Sequence, residues 1–169
     1  MDIKAQLKSE PGKFIISFVI VMTVLYGIFY TFRDEFLVMR VVTAILLGSI
    51  LTLIGMDTTV SGDIITTCGL NLKIIDECTA VFSIIVYIAA IIAYPANARS
   101  KIIGVVSGIP VLYGFNILRL VVLALVGVNF PGAFDFVHVY LWQTTFIIFV
   151  LITFLLWLKV VVERRENVE

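Results

Sequence analysis

Charge, histidine and cysteine are all scarce in this chain, and each scarcity closes off a class of protein. Only 14% of the 169 residues are charged, against about 25% in an ordinary globular domain. Lys plus Arg number 12 and Asp plus Glu also 12, so the net charge is zero. No basic field is left to hold nucleic acid, and no acidic tail to recruit a cationic partner. The one histidine and two cysteines form neither a CxxC pair nor a Cys/His cluster, so no metal site, no disulfide framework and no cofactor are expected. What is abundant is apolar surface: 61% of residues are hydrophobic and the mean hydropathy is +1.12, where a soluble domain has about 45–50% apolar residues. A soluble domain is therefore excluded. The length suits a handful of bilayer-spanning helices of about 20 residues each.

The apolar runs predict one all-α integral membrane domain, residues 1–169, with about five transmembrane helices at 14–32, 36–56, 78–94, 102–128 and 140–162. The first run, Phe14 to Phe32, lies between Lys13 and Arg33-Asp34-Glu35 and is long enough for the roughly 30 Å hydrocarbon core. It exceeds the usual 7–15-residue core of a signal peptide and has no small-residue cleavage site before Arg33, so cleavage is not expected. In the second run Gly48, Ser49 and Gly55 offer small surfaces for close helix approach. The third, Cys78 to Tyr94, is closed by Pro95; the fourth contains Gly108 and Pro110, an expected kink, and Arg119; the fifth ends in Glu163-Arg164-Arg165. Residues 57–77 differ, with Leu70, Leu72 and Ile74 alternating against Asn71 and Lys73 around turn signals at Ser61-Gly62 and Cys68-Gly69. They predict a small extracytoplasmic β-hairpin.

With the C-terminus cytoplasmic, the positive-inside rule puts Lys159, Arg164, Arg165, Arg99, Lys101, Arg33 and Arg40 inside, and Lys73, Lys4, Lys8 and Lys13 outside. Five crossings then carry the N-terminus outside, which its three lysines oppose. Either the N-terminal segment lies along the interface or one of the first two helices is not a full crossing.

A charge within an apolar helix needs a reason, since Arg at a helix centre costs about 2.5–3.5 kcal/mol on insertion scales. Arg119 can snorkel to the interface, being about 26 Å along the fourth helix from Ile102. Laid out by leaflet, however, Cys78 at the start of the third helix, Arg119 near the far end of the fourth and His138 just before the fifth fall at one membrane face, which the charge count makes the outer one. A thiolate can attack a carbonyl, an imidazole can move protons and a cation can stabilise an oxyanion, so this trio suits acyl transfer. A helix N-terminus at Cys78 and the charge of Arg119 would lower the thiol pKa; Asp76 and Glu77 would raise it unless paired with Lys73 or Arg119. Asp135, three residues before His138, could orient its ring through a helical turn. Singly, each residue has an ordinary reading: Cys78 as a small buried hydrophobe, and His138 beside Tyr140 and Trp142 as part of an aromatic belt. Cys68 reads as a spectator, though a Cys68–Cys78 disulfide would disable the nucleophile.

Glu77-Cys78-Thr79-Ala80, Asn116-Ile117-Leu118-Arg119-Leu120 and His138, in this order, make the chain resemble the exosortase/archaeosortase family of membrane transpeptidases, from Gly62 to about Phe149. The family usually has Cys-Ser-Gly where this chain has Cys78-Thr79-Ala80, and the chain is short for the family. The resemblance implies a substrate exported with a C-terminal motif, a transmembrane helix and a basic tail. Cys78 would hold it as a thioester, and a lipid or cell-envelope amine or hydroxyl would release it. It makes His138 the general acid/base and Arg119 the oxyanion or substrate-orienting group, with Asn116, one turn before Arg119, as a supporting hydrogen-bond donor and Tyr113 as a second candidate. Gly104, Gly108 and Gly114 would offer a small face to the incoming helix. Two alternatives stay open: an intramembrane cysteine protease that releases to water, and a non-catalytic transporter or scaffold subunit, which a break at Pro110 would favour.

Overall fold

The computed structural model describes residues 10–138 and 142–162. The order is α1 (Glu10–Thr31), α2 (Leu37–Leu53), strands β1 (Thr58–Ser61), β2 (Ile64–Thr67) and β3 (Leu70–Lys73), a 3-10 turn Asp76–Cys78, α3 (Val81–Ala93) and α4 (Ala98–Asn129). A 3-10 turn Pro131–Ala133 and one helical turn Phe134–Phe136 then lead to α5 (Trp142–Trp157), which ends in the π-helical stretch Leu158–Val162. The Lys4, Lys8, Tyr140, Arg164 and Arg165 of the sequence argument, and the side chain of Trp142, lie outside the described residues.

Three helical stretches are long and apolar enough to cross a bilayer: Pro11–Thr31, Ala98–Asn129 and Thr144–Val162. The other two are apolar but shorter than expected, 17 residues in α2 and 13 in α3. Residue 55 shows why α2 stops: Gly55 takes φ +91°, a left-handed conformation that ends a helix. Ala80, at φ +63°, likewise separates the Cys78 turn from α3, moving the helix start from Cys78 to Val81. At the other end of the bundle, α4 begins four residues earlier than expected because the side chain of Asn97 accepts the Ser100 N–H at 2.8 Å, an N-cap. Pro110 lies inside α4 without ending it.

The expected hairpin is a three-stranded antiparallel meander in the order β1-β2-β3. Both turn signals act: the Gly62-Asp63 loop has positive φ only at Gly62, as a type II′ turn needs, and the Cys68-Gly69 loop at both residues, as type I′ needs. The threonine-rich segment between them is therefore a strand of its own, β2.

Packing divides the molecule into two tiers along α4. In the first, Tyr87 and Ile91 of α3, Leu112 of α4 and Trp157 of α5 form one buried cluster, while Phe29 of α1 packs on Val81 and Ile85 of α3. Phe14 meets Tyr94 at one end and Phe29 meets Phe82 at the other, so α3 runs antiparallel along α1. In the second tier Ala44, Leu47 and Leu51 of α2 pack with Ile65, Ile74 and Cys78 on Ile117, Leu120 and Ala124 of α4. Nineteen residues separate Ser100 from Arg119, a rise of about 29 Å, so the second tier begins about one hydrocarbon thickness from the start of α4.

The charge count puts Arg33 and Arg40 on the face opposite Cys78, which requires α2 to cross back beside α1. Instead α2 stands against the C-terminal half of α4, and both arginines pair with Asp76, two residues from Cys78. Lys13, Arg99, Lys101 and Lys159 belong to the other end, where Phe14, Tyr94 and Trp157 meet.

Candidate active site

Cys78 closes the 3-10 turn, its N–H donating to the carbonyl of Ile75 at 2.9 Å, and is only 4% exposed. The turn is pinned from several directions. The Thr79 hydroxyl and N–H both donate to the Asp76 carbonyl, at 2.7 and 3.1 Å. The Asp76 carboxylate accepts from Arg40 Nε at 2.6 Å and lies 3.7 Å from Arg33 Nη2. Asn116, fully buried on α4, donates Nδ2 to the Cys78 carbonyl at 2.6 Å. Among the described residues Asp76 pairs with Arg40 and Arg33 and with neither Lys73 nor Arg119, and Arg40 joins the site without a local sequence motif to mark it. Its signal was present in the sequence as a second basic residue inside an apolar run.

Arg119 donates Nη1 to the Glu77 carbonyl at 3.4 Å, and its guanidinium carbon is 5.8 Å from the centre of the Phe146 ring on α5. That placement gives a cation–π contact rather than an ion pair, and among the described residues the buried Arg119 Nε has no hydrogen-bond partner. His138 is held by stacking on Phe134 one turn earlier, with ring centres 5.7 Å apart and planes 11° apart. Asp135 acts on it through charge alone: among the described residues the buried His138 Nδ1 has no hydrogen-bond partner. Tyr113 bonds elsewhere, its hydroxyl 3.1 Å from that of Thr43, tying α2 to α4.

Burial pushes the Cys78 thiol above its ordinary pKa. A hydrogen bond from the Ile75 backbone and the charge of Arg119 pull it down, and Glu77 adds to the rise. The helix-terminus argument for a lowered value fails because α3 starts three residues later. Burial lowers His138 below its ordinary value and Arg119 lowers it further, while Asp135 opposes. Both shifts favour the uncharged forms, thiol for Cys78 and imidazole for His138.

Two cavities meet here. The larger, about 550 Å³, runs between α3 and α5 with apolar walls including Phe82, Val86 and Val150, and Glu77, Arg119 and His138 also line it. The smaller, about 200 Å³, lies on the sheet side and is lined by both Cys78 and His138. Gly104 and Gly108 do not line the groove: a Cβ at either would collide with Trp157 or Tyr87, so they seat the chain's own α5 and α3. Gly114 has open space instead. Cys68 is exposed on its turn, and both cysteines are free thiols, so no Cys68–Cys78 disulfide blocks the site.

The chain thus brings a thiol, an imidazole and a guanidinium from three separate segments to one end of an apolar helical bundle. It matches no curated protein and no solved structure significantly. It does match the family profile of the transmembrane exosortases over residues 12–158, most of its length, and it belongs to that family.

Proposed function

We propose that this exosortase cleaves the C-terminal sorting signal of exported proteins through a thioester on Cys78 and transfers the product to a lipid or cell-envelope acceptor. The observation that carries this reading is that His138 lines both cavities, the one that reaches Cys78 and the apolar one that also holds Arg119. In the proposed reaction the Cys78 sulfur attacks the scissile carbonyl as His138 takes the thiol proton, and Arg119 stabilises the oxyanion. The C–N bond breaks and the leaving amine takes the proton from His138; an acceptor amine or hydroxyl then attacks the thioester as His138 takes its proton, the C–S bond breaks, and His138 returns that proton to the Cys78 sulfur. The apolar groove between α3 and α5 suits a transmembrane helix arriving in the plane of the bilayer.

We also propose four crossings, α1, α3, α4 and α5, with α2 and the sheet forming a cap at the active-site end. Lys13, Arg99, Lys101 and Lys159, with Lys4, Lys8, Arg164 and Arg165 adjoining in sequence, then lie on one side. Arg33, Arg40 and Lys73 lie on the other, and the first two are paired with Asp76. By the positive-inside rule the site faces outward and both termini face the cytoplasm. This arrangement removes the conflict between the three N-terminal lysines and an external N-terminus. The transporter reading loses its support, because α4 continues through Pro110.

The test is co-expression with an exported protein bearing a short motif, a transmembrane helix and a basic tail. Cys78→Ala, Arg119→Ala and His138→Ala lose processing, whereas Cys68→Ala keeps it. Processing by Cys78→Ala overturns the reading. Mass spectrometry of the new C-terminus separates transfer from release to water.

A further inference from the structure

We propose that the unpaired edge of β3 is a docking strand for the extended stretch of the exported protein beside its scissile bond, an inference that rests on the transpeptidase reading above. The observation is the lining of the smaller cavity. Asn71, Leu72 and Lys73 of β3 all border it, as do Ile74 and Ile75 just beyond the strand, facing Leu47, Leu120, Leu123, Phe134 and His138, with Cys78 also in its wall. Successive side chains of a strand point to opposite faces, so a void lying against one face touches every second residue. Contact with every residue in turn means that the void follows the strand's edge. Among the described residues no strand pairs with that edge: the sheet order is β1-β2-β3, and β3 pairs with β2. Ile75, at φ −108° and ψ 175°, carries the extended backbone on to the Cys78 turn.

An unpaired strand edge presents alternating main-chain donors and acceptors, a spacing that another extended chain matches in register. A lipid tail does not, and it has the apolar groove available instead. The Asn71 Oδ1 already accepts the Thr66 hydroxyl at 2.7 Å across the sheet, so that oxygen is engaged within the sheet. Ile75 and His138 line both cavities. A substrate can therefore be helical in the groove and extended along β3, with the change of conformation beside Cys78 and His138. A peptide bond is open to attack there, because it has left the helical hydrogen-bond ladder. Main-chain pairing tolerates varied sequence and selects side chains at alternate positions.

Disulfide trapping tests this in membranes containing the full chain. In a Cys68→Ala, Cys78→Ala background, Lys73→Cys is compared with Ser83→Cys, which lies in the groove. Each is oxidised with exported proteins carrying one cysteine at successive positions from the recognition motif into the transmembrane helix. The expected result is that Lys73→Cys captures every second position before the helix and none within it, while Ser83→Cys captures positions within the helix. Capture by Ser83→Cys with none by Lys73→Cys, or capture by Lys73→Cys without alternation, overturns the docking strand and leaves the transpeptidase reading standing. If neither variant captures substrate and the chain with Cys78 intact does not process it, the transpeptidase reading itself fails, and this inference with it.

Discussion

Asn116 reaches from the middle of α4 to donate its side-chain amide to the Cys78 carbonyl at 2.6 Å, with both residues buried. The bond ties the proposed nucleophile to the helix that carries Arg119 one turn later. Asn116→Ala leaves that carbonyl without its donor, which costs about 1–3 kcal/mol. Asn116→Asp is worse, because a carboxylate oxygen then faces a carbonyl oxygen. Both are expected to lower processing as well as the melting temperature in detergent, with Asn116→Gln intermediate. A variant that melts earlier but processes at the wild-type rate would show that the bond serves the fold alone.

Ala80 sits at φ +63°, and the resemblance already marked this position as one where glycine is usual. A non-glycine residue pays about 1–2 kcal/mol in the left-handed region, and glycine gives back part of the gain through its looser unfolded chain. Ala80→Gly is therefore expected to stabilise the protein by about 1 kcal/mol, and Ala80→Val to destabilise it by more than that. Thermal unfolding of the purified protein decides. A lower melting temperature for Ala80→Gly would mean that the methyl group's packing in this buried site outweighs the backbone cost.

What could be read from sequence followed from local rules, and what could not depended on distant partners. The apolar runs mark the five apolar helices, and alternating helix directions group Cys78, Arg119 and His138, which line the two adjoining cavities. The turn pair Cys68-Gly69 is visible as a signal, but β2, made of Ile64 to Thr67, lacks the apolar–polar alternation that marks β3. The place of α2 depends on the packing of Leu47 and Leu51 against α4, residues far away in sequence, and so leaves no trace in its own apolar stripe. The Arg40–Asp76 pair joins residues 36 apart and so leaves no local trace.

Gly104, Gly108 and Gly114 look equivalent in sequence and are not equivalent in space. The Tyr87 ring occupies the room where a Gly108 side chain would go, and its hydroxyl donates to the Gly104 carbonyl at 3.1 Å. Gly108→Ala must displace that ring, an overpacking cost of about 1–3 kcal/mol. Gly114→Ala meets nothing within 4 Å and gains helix propensity, for a stabilisation of up to about 1 kcal/mol. Unfolding of the two variants in parallel should show opposite shifts. Equal shifts would mean that α3 does not seat Tyr87 against α4.

The pH dependence of processing reports the charge states of Cys78 and His138. If imidazole must be neutral to accept the thiol proton, activity is lost on the acid side as His138 protonates. Burial and Arg119 lower its pKa, so the neutral form persists and the acid limb moves below the ordinary value of about 6.5. On the alkaline side, burial raises the Cys78 thiol above its ordinary value of about 8.5, so the proton to be transferred stays in place and the plateau extends upward. Processing in proteoliposomes is therefore expected to hold a plateau from below 6.5 to above 8.5, wider than the two ordinary values allow. Asp135→Asn removes the charge that opposes the His138 shift and moves the acid limb lower still. Alkylation of Cys78 by iodoacetamide in the Cys68→Ala protein tracks the thiolate directly. Rapid labelling at pH 6 would reveal a resting thiolate–imidazolium pair and refute the neutral-pair assignment.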